Sequence, residues 1–153
     1  VRSRRQRQMC IRDRVIGHGY EFGDPALEVA ETYPDTKFIC TEADASADNV
    51  ASYVMACEQT AYVEGIIAAS TSESGKLGAI GPIPGDSLVK IINGYEDGAK
   101  SVNPDIEVQT AWTNSFVDTQ LAQEAAKAMI DNDVDVIKHC ANACGNGAMT
   151  AAV

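Results

Sequence analysis

Two histidines are present, His18 and His139, and each stands where a run of strand-forming residues gives way to a loop. An imidazole can act as a base, ligate a metal or hydrogen-bond a ligand, so its neighbours decide which chemistry is open to it. His18 opens the loop His18-Gly19-Tyr20-Glu21-Phe22-Gly23, and His139 precedes Cys140-Ala141-Asn142-Ala143-Cys144-Gly145-Asn146-Gly147. Two further loops share that setting: Gly81-Pro82-Ile83-Pro84-Gly85, and Thr113-Asn114-Ser115-Phe116-Val117 after Trp112. Aromatic and glycine residues beside amides and imidazoles suit a flat ligand with polar edges. Rings stack on it while Asn and His read its donors and acceptors. Trp112 serves equally as a core plug or a contact, whereas Phe116, in a polar loop, reads as a contact. Gly145-Asn146-Gly147 also fits a plain turn into a helix.

Catalysis fits these residues poorly. A thiol nucleophile needs a base within hydrogen-bond reach, but His139 and Cys140 are adjacent on a strand and point to opposite faces. No Gly-x-Gly-x-x-Gly follows a first strand, and no Gly-rich Lys-Ser/Thr loop is present, so the phosphate-cradling motifs are missing. Cys40, Cys57, Cys140 and Cys144 match no zinc spacing, and they read as small buried hydrophobes in preference to disulfides. The residues predict a binding protein with no catalytic group, metal or cofactor.

The elements that must hold these loops alternate between strand and helix. Val15-Ile16-Gly17 reads as the end of a strand, and Asp24-Pro25 as a helix start with Asp24 as N-cap. Ala26, Leu27, Ala30 and Tyr33 form that helix's apolar face, and Pro34-Asp35 stops it. Lys37 to Cys40 is a buried strand, residues 44–49 a polar loop and Val50 to Met55 another strand. An apolar helix from Glu58 to about Ser72 is built on Ala61, Tyr62, Ile66 and Ala69. After Gly75, Lys76 to Ile80 is a strand; Asp86 then caps a helix striped with Leu88, Ile91, Ile92, Tyr95, Ala99 and Val102. Ile106 to Trp112 is a strand. Asp118 caps a helix with Leu121, Ala125, Ala128 and Met129 inward, and Val134 to His139 is the last strand. Such alternation predicts an α/β fold with a parallel doubly wound sheet, whose ligands bind beyond the carboxyl ends of the strands. The junction Tyr33-Pro34-Asp35 is echoed by Asn103-Pro104-Asp105, which suggests two similar halves dividing near Ser74 to Lys76.

All six arginines lie within the first fourteen residues. The stretch from Arg4 to Asp13, RRQRQMCIRD, is what CGT CGG CAG CGT CAG ATG TGT ATA AGA GAC encodes, the sequence of a standard transposase sequencing adapter. Residues 1 to 14, Cys10 included, are therefore expected to be adapter read-through that packs against nothing, with the native sequence starting mid-protein. Without that arm six lysines face 21 carboxylates, a net charge of about −15 against −10 for the whole chain. So acidic a surface argues against nucleic acid or an anionic membrane as partner. No apolar run reaches the length of a membrane span.

The runs VIGHGYEFGDPALEVAETYPDTKF, DNVASYVMACEQTAYVEGIIAA, GKLGAIGPIP, GYEDGAKSVNPDIEVQTAWTNSF and AKAMIDNDVDVIKHCANACGNG together resemble the basic membrane protein (BMP) family. Its members are substrate-binding lipoproteins of ABC transporters, several of which bind purine nucleosides. The resemblance implies the α/β fold of type I periplasmic binding proteins, two Rossmann-like lobes that close on a ligand. Both lobes would be incomplete here, residues 15–75 being the latter part of lobe 1 and residues 76–153 the earlier part of lobe 2. Carried over from the family, the ligand contacts are His18, Tyr20, Glu21 and Phe22 in the first lobe. In the second they are Asn114, Phe116, His139, Asn142 and Asn146. Cys140 and Cys144 depart from the pattern, as does the lack of a second aromatic near Phe116. The implied role is capture of a small planar polar solute, foremost a purine nucleoside, for delivery to an ABC permease. The protein would sit on the periplasmic or extracellular face of the plasma membrane through a lipid anchor outside this stretch. The alternative is a ligand-sensing domain of a transcription regulator, which shares the fold.

Overall fold

The computed structural model describes residues 13–153, which divide by their contacts into two units. The unit ending at Met55 contains β1 (Arg14–His18), a 3-10 turn (Tyr20–Phe22), α1 (Gly23–Thr32), β2 (Lys37–Thr41) and β3 (Val50–Tyr53). Its sheet has the order β1-β2-β3, all parallel, with Val15 opposite Phe38 and Phe38 opposite Val50. Alternation along β2 sends Phe38 and Cys40 to one face, where α1 lays Ala26, Leu27 and Ala30 over Phe38, Ala45 and Val50. Residues 42–49 return the chain to β3 without a helix. They manage this by burying Ala43 and Ala45 and by donating the Ala45 amide to the Ser52 hydroxyl (3.0 Å).

Three expectations change in this unit. Asp24 is not the N-cap: α1 continues straight from the 3-10 turn, so the helix already runs at Gly23 and Asp24 falls in its first turn, with no side-chain cap. A carboxylate there still complements the helix dipole. Tyr33 lies just past the helix and is exposed, its amide bonded to the carbonyls of Val29 and Ala30. Of the supposed adapter segment, residues 1–12 lie outside the described residues, but the Asp13 carbonyl accepts the Lys37 amide (2.9 Å) and Arg14 opens β1 opposite Lys37. Ladder hydrogen bonds use the backbone, so a strand extends regardless of the side chains it carries.

The unit from Ala56 onward contains α2 (Cys57–Thr71), β4 (Lys76–Gly81), α3 (Asp86–Val102), β5 (Glu107–Trp112), α4 (Thr119–Ile130), β6 (Val136–His139), a 3-10 turn (Asn142–Gly145) and α5 (Asn146–Ala151). The sheet order is β5-β4-β6, all parallel. Leu77 to Gly81 are all buried, as a central parallel strand covered on both faces requires. One face packs Leu77 and Ala79 against Ala61 and Ala68 of α2 and Ile92, Tyr95 and Ala99 of α3. The other packs Ile80 against Ala122, Ala126 and Met129 of α4 and Ala148 of α5.

The division expected near Ser74 to Lys76 falls instead between Met55 and Ala56, because α2 is bound to α3. The two helices approach backbone to backbone: a Cβ on Gly65 would run into the Tyr95 carbonyl, and one on Gly98 into that of Tyr62. The inner row of α2 is accordingly Ala61, Gly65 and Ala68, and Tyr62 points outward. α4 likewise buries Ala122, Ala126 and Met129, one position on from most of the expected row, leaving Leu121 exposed. Asp118 caps α4 as expected, accepting the Gln120 amide (3.0 Å), whereas Asp86 sits within the first turn of α3 behind Gly85. The turn after α2 is pinned to β6 by Asp135. Its carboxylate accepts the Ser72 hydroxyl (2.7 Å) and the amides of Glu73 (2.6 Å) and Ser74 (2.9 Å).

Candidate functional site

In both units the candidate residues gather at the carboxyl ends of parallel strands. At the end of β1, His18 Nδ1 and the Thr41 hydroxyl are hydrogen-bonded at 2.7 Å, and Thr41, the last residue of β2, is buried. Gly19 follows with φ 130, a backbone that L side chains rarely adopt, and the Glu21 carboxylate folds over it. Tyr20 and Phe22 stand on the 3-10 turn, 45% and 44% exposed. Phe22 packs on Gly17 and borders an apolar cavity of about 180 Å³ together with Pro25, Ala26, Val29 and Phe38. Its ring is therefore partly committed to the unit's own interior, which leaves Tyr20 the freer of the two.

In the second unit the Trp112 indole lies on Gly81 and joins the apolar cluster beneath, so it is a core plug. Asn114 and Phe116 are exposed in the following loop, with Asn114 in the left-handed region at φ 53. Asn142, at φ 48, starts the turn after β6, and Asn146 starts α5. These two segments are joined: the Cys144 amide donates to the Phe116 carbonyl (3.1 Å). His139 is half-buried with its ring against Gly145, and its Nδ1 is buried with no hydrogen-bond partner among the described residues.

A charged group lies away from these loops, on the α2 side of β6. Lys138 pairs with Glu64 and stands 5.6 Å from the centroid of the Tyr95 ring. Burial, then the Asp135 carboxylate, pushes the Tyr95 phenol up to about 12. Burial also lowers Lys138 and raises the Cys140 thiol, the latter against the pull of the Lys138 ammonium. All four cysteines among the described residues are free, with Cys40 and Cys144 fully buried. No cluster of His, Cys, Asp or Glu among the described residues could hold a metal ion.

A family model described as Bmp, ABC transporter substrate-binding protein PnrA-like, matches residues 12–153. The chain belongs to this family. A purine-binding protein of Brucella abortus is 41% identical to the Bmp chain over 123 residues, covering 80% of it and 35% of its own length. A putative ABC transporter glucose-binding protein of Haloferax volcanii is 33% identical over 125 residues, covering 82% of this chain and 32% of its own. The crystal structure of an ABC transporter system solute-binding protein from Aeropyrum pernix K1 matches with a TM-score of 0.83 at 28% identity, covering 92% of this chain and 42% of that one. The α/β, periplasmic-binding-protein-like fold that the sequence implied is the fold of this Bmp chain. The chain spans about a third of the length of these two curated relatives.

Thr41 went unremarked in the sequence, and Thr113 was named only as the start of a candidate loop. Both are buried polar side chains at strand ends, Thr113 directly after β5. Their signal was faint, because a lone threonine beside a strand end does not show in the sequence that its hydroxyl will be buried and bonded.

Proposed function

We propose that this Bmp-family chain is part of the solute-binding component of an ABC importer, and that its strand-end loops capture a planar polar solute, a purine nucleoside. The family match over residues 12–153 carries the importer reading in preference to a transcription regulator. The two units then correspond to parts of two lobes, the partner is an ABC permease, and the protein works outside the cytoplasm on a lipid anchor. No step of this role calls for a catalytic residue.

The purine reading draws on the name of the Brucella relative, a purine-binding protein, and on the chemistry of the loops. Phe116 offers a ring for stacking. Asn114, Asn142 and Asn146 offer amides, and His139 an unpartnered ring nitrogen whose burial costs energy until something bonds to it. His18, Tyr20, Glu21 and Phe22 would make the first lobe's contacts. The Haloferax relative's name favours a second reading, in which the same amides bind a sugar.

Calorimetric titration of the full-length protein with adenosine, guanosine, inosine and glucose separates the two. Binding of a nucleoside is expected, and loss of the Phe116 ring in Phe116→Ala should weaken it by about tenfold to a hundredfold, the usual worth of one base–aromatic stack. His139→Ala should discriminate among the nucleosides, because it removes one partner of a buried polar pair. Tight glucose binding with no response to any nucleoside would overturn the ligand and leave the importer standing.

A further inference from the structure

We propose that Thr113 is a positioning residue for the ligand: its hydroxyl locks the loop carrying Asn114 and Phe116 to the end of β4 and to the turn carrying Asn142. The inference rests on the ligand reading above and goes beyond the contacts carried over from the family. Thr113 is 8% exposed and sits where β5 ends. Its amide donates to the Gly81 carbonyl (2.9 Å), and its hydroxyl reaches the same oxygen at 3.3 Å and the Ser115 carbonyl at 3.0 Å. From the other side the Cys144 thiol lies 3.4 Å from the Thr113 hydroxyl and 2.8 Å from the Asp118 carbonyl, and its one proton goes to one of them at a time. The Ser115 hydroxyl closes the far end of the loop by accepting the amides of Val117 (3.2 Å) and Asp118 (2.9 Å).

One hydroxyl carries one proton and two lone pairs, so Thr113 ties three segments together with both its polar groups: the amide holds the Gly81 carbonyl, while the hydroxyl shares its one proton between the Ser115 and Gly81 carbonyls and accepts from the Cys144 thiol. Those segments bear four of the nine candidate contacts: Asn114, Phe116, Asn142 and, one residue past the turn, Asn146. Two of the four, Asn114 and Asn142, hold left-handed backbones. Such conformations persist only where the surroundings over-determine them, and the knot at Thr113 supplies that constraint. Ligand groups bind well when they are fixed before the ligand arrives, so the lock acts on affinity without touching the ligand. Valine has the shape of threonine without the hydroxyl, and serine the hydroxyl without the methyl, which makes the contribution separable.

The test uses full-length protein with Thr113→Val and Thr113→Ser, titrated with adenosine, guanosine and inosine, and amide hydrogen exchange measured over residues 114–118. Thr113→Val should weaken nucleoside binding by about tenfold and speed exchange in that segment by a similar factor, while Thr113→Ser restores both. Asp135→Asn serves as the structural control, lowering the melting temperature without changing affinity. Wild-type exchange rates in Thr113→Val would overturn the lock. Faster exchange with unchanged nucleoside affinity would overturn the positioning role. Should the wild type bind no nucleoside, the ligand reading and the positioning role fall together, and the exchange rates still decide the lock. If Thr113→Val does not fold, Cys144→Ala removes another arm of the knot. It must speed exchange over the same segment, and unchanged rates there overturn the proposal.

Discussion

β2 and β4 both run down the middle of a three-stranded parallel sheet, yet they are buried very differently. β4 is covered on both faces, and Leu77 to Gly81 are all buried. β2 buries Phe38 and Cys40 toward α1, but its other face is poorly covered: Ile39 is only partly buried, and Ile16, its partner on β1, is 69% exposed. Parallel sheets gain their stability from two covered faces, so among the described residues the same strand pattern has both faces covered in one unit and one face covered in the other. The loops follow suit. In the second unit Thr113 and Cys144 join the loop after β5 to the end of β4 and to the turn after β6, whereas in the first the loop after β1 is held to β2 alone, by the His18–Thr41 side-chain bond, the Gly19 amide on the Thr41 carbonyl (3.3 Å) and the Cys40 thiol on the Phe22 carbonyl (3.6 Å).

The largest effects should come from the two central strands. Leu77→Ala leaves a void in a fully enclosed site and should cost about 4 kcal/mol. Phe38→Ala removes a larger side chain, but beside an existing cavity of about 180 Å³ and a thin core it should cost no more than about 3 kcal/mol. Chemical denaturation of the full-length protein with each substitution measures both. Equal or reversed losses would break the contrast between the units.

The α2–α3 contact gives the next largest effect. Gly98→Ala places a methyl against the Tyr62 carbonyl, so the helices must part, at a cost of about 2–3 kcal/mol. A shift in melting temperature of less than about 2 °C would mean that the helices separate without loss, and that the second unit is less tightly built than β4 suggests.

That contact also marks what the sequence left hidden. Strand and helix order was legible because β4 is a continuous apolar run and α3 carries a wide stripe through Ile92, Tyr95 and Ala99. α2 has no such stripe: its inner row is alanine and glycine, which hydropathy ranks below the outward Val63 and Ile67. The helix was therefore detected, with Ala61 and Ala69 on the core side as expected, but Tyr62 was turned inward where Gly65 and Ala68 make the contact. The ligand loops could be found from glycines, rings and amides at strand ends. Which of their side chains are free could not, because Trp112 covering Gly81 and the His139 ring against Gly145 are contacts between distant residues.

The smallest effect tests how the second unit closes on itself, through Asp135. Burial alone would raise its carboxyl, but hydrogen bonds from the Ser72 hydroxyl and the Ser74 and Glu73 amides outweigh it and hold the group at about 2, below the ordinary 3.8. A carboxylate whose folded pKa is depressed stabilises the protein fully above the ordinary value, and that stability is lost as the pH falls from 3.8 toward 2. The group is almost wholly exposed, so solvent screening keeps the contribution small. Asp135→Asn should cost about 1 kcal/mol at neutral pH, since an amide still accepts but weakly. The variant should also show a flatter loss of stability below pH 3.8 than the wild type. Urea titrations at pH 7, 4 and 3 compare the two proteins directly. A wild type and a variant that lose stability in parallel across that range would show that the pin at Asp135 contributes nothing to joining α2 to the sheet.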